Sequence, residues 1–403
     1  MPDESANRTL STPMLALVWF GASVSLAEIL TGTFFAPLGW VQGLTAIVVG
    51  HIIGCVLFWL VAKISAETGL SAMQAVGRSF GNVGSKLFST ANVIQLIGWT
   101  AIMIMSGGAA ATLLVPAVGS AGWCVVIGAL IVAWIAMGVK RMGQVQSAAA
   151  VLLLVLTFVV SAAVFGGTGG AASQAGDALS FSAAVELAAA MPLSWLPVVG
   201  DYTREARQAG PGALGSTLAY FAGSCWMFAI GLGCALFAAS SDVAVVLAQA
   251  GFGAVGILIV VFSTVTTTFL DAQSAGISSN ALHERLDARA CGIVAAIVGT
   301  ALAILAPVGD FEDFLYLIGS VFAPMAAIVI ADYFLLHRDS SASPVDWRNV
   351  ILWAVGFALY RVSLGWDVPC GNTLPVMVAI VVAAVIVNLI ATRGTAAKES
   401  NRS

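Results

Sequence analysis

The chain has 403 residues, of which 60% are hydrophobic and only 9% charged, with a formal net charge of −4. Soluble domains carry roughly 25% charged residues, and none of this length could bury so much apolar sequence. The composition excludes a soluble domain and describes a polytopic, all-helical membrane protein.

Twelve apolar runs are predicted as spans, near residues 14–36, 41–62, 87–115, 122–139, 145–165, 183–200, 213–238, 250–280, 291–307, 312–336, 347–364 and 373–392. Each is long enough for a hydrocarbon core of roughly 30 Å. The first is not a cleavable signal, because it runs past Glu28 without a small-residue cleavage pattern and equally strong spans follow. The segment 65–86 is too polar to cross and reads as a short interfacial or cytoplasmic helix with loops. Both tails read as short, polar and disordered. Fifteen of the 16 basic residues fall on one side of this topology, with Arg361 alone opposite, and the loop 166–180 on the other side has none. The positive-inside rule then puts both termini in the cytoplasm.

Span one carries Glu28 among Gly, Ser and Thr. A carboxylate at mid-bilayer costs at least ~2.5–3.5 kcal/mol, so it is kept where it faces protein or water and has a partner. Span six contains Pro192 and Pro197, each lacking the backbone donor that a helix needs. Two disrupted helices five spans apart point to a five-plus-five inverted repeat with a midplane site, since an odd offset turns the second copy over.

Span eight supplies Ser263, Thr266 and Thr267 on one helix face, with Asp271 a turn beyond. Hydroxyls and carbonyls are the hard-oxygen ligands that an alkali cation prefers, by extension from other hard cations, although such hydroxyls also bond their own helix or a neighbour. On span three, Gln95 and Trp99 are four apart and face the same way. An indole can stack on a flat heterocycle while an amide reads its polar edge; a packing tryptophan beside a bridging glutamine reads equally well. Trp195, between the two prolines, is a second candidate stacking plate.

Other features are assigned structural roles. Trp19, Trp40, Trp123 and Trp366 read as interfacial belt residues, His51 as a satisfied packing histidine, and Gly50 with Gly54 as a helix-packing pair. GFGAVG at 251–256 follows no strand and fails as a nucleotide loop. Arg204, Glu205 and Arg207 read as a solvated loop cluster. The six cysteines show no metal or redox spacing. No nucleophile–base pair or metal set supports an intramembrane enzyme, and polarity gathers at one depth rather than along a channel.

Span ten, FLYLIGSVFAPMAAIVIADYFLLHR at 314–338, resembles the tenth-helix signature of the nucleobase:cation symporters, with its G-x-x-x-x-P core and terminal D-Y. GDYTR at 200–204 and IGW at 97–99 resemble that family too. With SVSLAEILTGTFFAPLG and TTTFLDAQSAG, the chain is most similar to its CytX-type branch of hydroxymethylpyrimidine transporters. The resemblance covers all twelve spans. It implies the fold of the leucine-type sodium symporters, with repeats over 14–165 and 183–336 and spans eleven and twelve (347–392) accessory, in one transporter domain spanning 1–403. It implies sodium held by the carbonyls of Val24, Ala27 and Ser263 and the hydroxyls of Thr266 and Thr267. Glu28, Trp99 and Asp271 fall on substrate-contacting positions, and Gln95 and Trp195 complete the candidate set. Glu28 and Asp271 are acids where relatives commonly carry amides, and the spacing of Trp195 to Asp201 departs from the family's second aromatic plate. Carboxylates suit an aminopyrimidine, whose exocyclic amine donates a charge-assisted bond.

The expected function is import of a small pyrimidine, hydroxymethylpyrimidine, by sodium symport with alternating access. The alternatives are cytosine or another nucleobase, or coupling to a proton carried by Glu28 or Asp271. No enzyme activity, organic cofactor or nucleic-acid partner is expected. The protein is expected as a monomer in the inner cell membrane.

Overall fold

The computed structural model describes residues 8–137, 139–166, 179–237, 245, 253–305, 311–366, 368 and 370–400. Among these the only strand-like pairing is a bridge between Leu10 and Ala206. Helices occupy all twelve predicted positions: Thr12–Ser23 with Leu26–Thr33, Gly39–Thr68, Ser85–Leu114, Gly119–Met137, Val139–Phe165, Phe181–Ser194 with Leu196–Thr203, Ala209–Phe237, Gly253–Leu282, Ala288–Leu305, Phe311–Ile330, Trp347–Ser363 and Thr373–Ser400. They are numbered here as spans one to twelve. Among the described residues eight are continuous and long and apolar enough to cross a membrane, and the bent pair of span one makes a ninth. Of the other three, span eleven has 17 residues, and spans five and eight begin where side chains lie outside the described set. The loop 166–180 and the start of the 251–256 motif also fall largely outside the described residues.

Several ends differ from expectation. Span two continues to Thr68 and stops where Gly69 turns left-handed at φ 73°. Lys63 therefore sits inside the helix rather than after it. Span twelve continues to Ser400, which corrects the reading of a disordered C-terminal tail through that residue; alanine, arginine, lysine and glutamate there are good helix formers. At the other terminus Arg8 is tied down by donating to the carbonyl of Ala66 at 2.5 Å. The polar segment 65–86 forms the short helix Ala72–Phe80, opened by a reciprocal Ser71–Gln74 capping box and closed by Gly81 at φ 85°. The last turns of span ten, Ala331–Leu336, wind as a π-helix, which no sequence signal indicated.

The packing carries the inverted repeat. Span one packs on span seven, and span six, its counterpart five positions on, packs on span two. Span one also meets span five, as span six meets span ten; span three meets span nine, as span eight meets span four. The pairs three–eight and two–seven map onto themselves. Spans eleven and twelve pack on span ten, outside this scheme. Span six is 94% buried within its apolar window and span twelve only 22%, so the proline-bearing helix is central and the last helix peripheral.

Candidate functional site at the break of span one

Span one opens at Val24–Ser25. Ser25 is extended (φ −136°, ψ 156°), and its hydroxyl accepts the Glu28 N–H at 3.2 Å. In an unbroken helix that N–H would bond the Val24 carbonyl. The serine cap therefore frees a carbonyl and starts a new half-helix, bent 51° from the first. Glu28 sits in the first turn of that half-helix, where the helix dipole favours an acid.

Span six is interrupted more gently. Pro192 and Pro197 supply no N–H, and the helix pauses only at Trp195, whose N–H reaches the Pro192 carbonyl at 3.3 Å in a tightened turn. The two pieces run on as one span, Phe181–Thr203. The break places Trp195 beside the opening of span one.

Glu28, Trp99, Trp195, Thr267 and Asp271 line one cavity between these breaks, with Ser194 and two methionines, Met103 and Met191. Its free space is about 20 Å³, little more than one water needs, so the walls must part to admit a ring. All five residues are buried. Trp99 packs edge-on against Phe314 at 5.4 Å, and Trp195 edge-on against Trp19 at 5.4 Å.

The two acids differ in their partners. Glu28 takes the Tyr220 hydroxyl on Oε1 and the Ser224 hydroxyl on Oε2, both at 2.7 Å. Behind Ser224, His51 Nε2 lies 2.6 Å from the serine oxygen. Among the described residues nothing hydrogen-bonds the Asp271 carboxylate, which faces the cavity. Gln95 does not line the cavity. Its amide donates to Asn92 Oδ1 at 2.7 Å, and Asn92 donates to the Pro197 carbonyl at 2.9 Å and to Ser278 at 2.8 Å. Asn92 thus braces span three against span six, and Gln95 steadies the Asn92 amide while its own Oε1 is buried without a partner.

Spans one and eight, which carry the candidate cation ligands, come together at the break, with Ala27 and Thr267 on one small space and Val24 and Ser263 on another. Thr267 donates to the Ala22 carbonyl at 3.4 Å, joining the two helices. Thr266 donates to the Phe262 and Ser263 carbonyls, and the Ala27 carbonyl accepts the Thr31 hydroxyl. Val24, Ser25 and Ser263 line a second small space beside the first. The donor set is all oxygen, as a hard cation requires, and the Val24 carbonyl is the one that the serine cap frees from its helix bond.

Trp19 corrects the sequence reading. It is fully buried, with edge contacts to Phe58, Trp195, Tyr202 and Tyr220, not at an interface. Proximity to a helix end marks a belt residue only where that end reaches lipid, and span one is enclosed by spans five, seven and eight. Gly50 and Gly54 do pack as read: a Cβ at either would run into span six, at Ala188 and Pro192. His51 is satisfied as read, bonded to the Ile47 carbonyl at 2.8 Å and to Ser224. Tyr220 and Ser224 carry no sequence signal beyond a spacing of four, which puts both hydroxyls on one helix face as in ordinary helix contacts.

The C-terminal end of span six is bonded to its neighbours. Asp201 Oδ1 accepts the Ala72 N–H at 3.0 Å, Thr203 donates to the Ala62 carbonyl at 3.0 Å, and Tyr202 to the Leu270 carbonyl at 3.3 Å. Two larger cavities lie apart from the breaks, one of about 270 Å³ beside Glu186 and Asn372, and one of about 560 Å³ beside Arg78 and Asp339.

The family described as permease for cytosine/purines, uracil, thiamine, allantoin matches residues 2–383. No curated protein matches the chain by sequence. Among solved structures, the chain is similar to Mhp1, a nucleobase-cation-symport-1 family transporter, in a closed conformation with bromovinylhydantoin bound: TM-score 0.81 at 21% identity, over 98% of this chain and 95% of that one. The inward-facing conformation of Mhp1 matches with a TM-score of 0.76 at 20% identity, over 98% and 93%. A substrate-bound, outward-open Na+-coupled sialic acid symporter matches with a TM-score of 0.70 at 13% identity, over 94% and 89%. These likenesses establish the fold.

Proposed function

The chain belongs to the family of permeases for cytosine/purines, uracil, thiamine and allantoin, and from that premise we propose that it imports a small pyrimidine by cation symport. It is a multi-pass membrane transporter, not an enzyme. The substrate its site suits best is hydroxymethylpyrimidine, the thiamine precursor. The observation that carries this reading is the pairing of two buried carboxylates, Glu28 and Asp271, with two indoles, Trp99 and Trp195, around one cavity. Indole faces suit a flat heterocycle. Acids that only accept suit a ring bearing donors, and this pyrimidine offers an exocyclic amine and a hydroxymethyl group. Asp271, with no protein donor among the described residues, has the stronger claim on the substrate.

Sodium is the proposed coupling ion, held by the Val24, Ala27 and Ser263 carbonyls and the Thr266 and Thr267 hydroxyls. Binding there ties span eight to the opened turn of span one and orders the half-helix that carries Glu28. Cation and substrate then favour each other reciprocally. Release follows when the bonds of Asp201, Tyr202 and Thr203 give way and the repeats 14–165 and 183–336 rock against each other, with 347–392 accessory. The protein works as a monomer in the inner membrane with both termini cytoplasmic.

Glu28→Gln tests the assignment. Losing a charge-assisted bond removes about 1.5–3 kcal/mol, so uptake of hydroxymethylpyrimidine should fall roughly tenfold to a hundredfold while the protein still folds. Unchanged uptake by that variant defeats the reading. A proton in place of sodium is the second reading, favoured by the chain of short bonds from Glu28 through Ser224 to His51. Uptake measured with and without sodium at fixed pH separates the two, and competition by cytosine and uracil tests a broader nucleobase range.

A further inference from the structure

We infer that Ser224 and His51, acting through Glu28, determine how strongly the site demands a hydrogen-bond donor from its substrate. The inference rests on the reading of Glu28 as a substrate acceptor. It follows from a count of protons and acceptors in a fully buried cluster contributed by spans one, two and seven. His51 Nδ1 lies 2.8 Å from the Ile47 carbonyl, which can only accept, so Nδ1 carries the hydrogen. In a neutral imidazole the other nitrogen, Nε2, is then an acceptor. It lies 2.6 Å from Ser224 Oγ, while Glu28 Oε2 lies 2.7 Å from the same oxygen.

With Glu28 ionised and His51 neutral, Ser224 therefore has one hydroxyl proton and two buried acceptors within reach. What it gives to His51 it withholds from Glu28. Tyr220 serves the other carboxylate oxygen, Oε1, at 2.7 Å, and no further protein donor to Oε2 is present among the described residues. Glu28 lines the cavity beside Trp99 and Trp195, so the cavity is the direction from which the missing donor can come. A buried acceptor left short of a donor discriminates strongly between ligands with and without one. His51 is then a positioning residue that sharpens selectivity for an amine-bearing ring without touching it.

The test compares uptake kcat/KM in proteoliposomes for 4-amino-5-hydroxymethyl-2-methylpyrimidine and for the same ring with hydrogen in place of the amine. The wild-type ratio is expected to favour the amine at least tenfold. His51→Leu removes the competing acceptor and lets Ser224 satisfy Glu28, so the ratio should fall about threefold to tenfold, the worth of one net hydrogen bond. In the Ser224→Ala background His51→Leu should leave the ratio unchanged, since its effect passes through the serine. A merely structural role for His51 would lower uptake of both rings alike and keep the ratio, and that result overturns the inference. Should His51→Leu not fold, Ser224→Ala decides alone: with the protein's donor to Oε2 gone the ratio must hold or rise, and a fall overturns the inference. A wild-type ratio near one overturns the reading of Glu28 itself. A high wild-type ratio that collapses in Glu28→Gln but is indifferent to His51 leaves that reading standing and sinks only this one.

Discussion

A carboxylate inside a bilayer has to find donors, and Glu28 and Asp271 find them in different places. Glu28 lies against two hydroxyls of span seven, one of them shared with His51, whereas Asp271 is left facing the cavity. Tyr220→Phe isolates one of these bonds, because the ring would keep its stack on Phe58 at 5.5 Å and 13° and lose only the donation to Oε1. With that donor gone the carboxylate is shorter of partners and presses harder on the substrate's amine, so uptake KM for the amine-bearing ring should fall about threefold to tenfold, the worth of one net hydrogen bond; an unchanged KM would mean that Oε1 plays no part in binding. Both acids were legible in the sequence, since a charge within an apolar run stands out. Tyr220, Ser224 and the buried position of Trp19 were not, because which way a helix is rotated about its axis is decided by its neighbours.

The helices meet through glycines where the bundle is tightest. The second half of span one lies against span seven so closely that a Cβ on Gly231 would collide with the Ile29 carbonyl, and one on Gly32 with the Phe228 backbone. Overpacking of this kind costs about 1–3 kcal/mol. Gly231→Ala should accordingly lower the thermal midpoint of the purified protein, while Gly210→Ala, with nothing within 4 Å of the added carbon, should not. Equal midpoints for the two would show that this contact is not close in the working protein. The breaks themselves were only half readable. Proline marked span six, yet there the helix merely pauses at Trp195 and runs on. Span one, whose only proline ahead of the bend is Pro13 in its first turn, turns through 51° because a serine hydroxyl captures the N–H that would have continued the helix. A serine before an acid is a cap in this setting and an ordinary surface pair elsewhere, so only the folded backbone distinguishes them.

The bundle is held in a form with its central cavity nearly closed. Opening is therefore part of binding, and ligands that engage the opened or occluded form shift the balance by their differential affinity. With substrate at a hundredfold excess over its Kd, stabilisation of about 2.7 kcal/mol is expected. The thermal shift produced by the pyrimidine should be larger in sodium than in a sodium-free buffer of equal ionic strength. Equal shifts in both buffers would separate the cation from the substrate and remove sodium as the coupling ion. Composition, hydropathy and the placement of basic residues determined the membrane setting, the number of helical segments and the offset between disrupted spans, because these depend on transfer energies summed along the chain. Which carboxylate keeps its donors, which tryptophan is buried and how far each broken helix bends depended on partners up to 245 residues away, as Thr267 and Ala22 are. Such contacts form only when spans one, two, six, seven and eight pack together, and close packing rather than local preference then selects each rotation and each hydrogen bond.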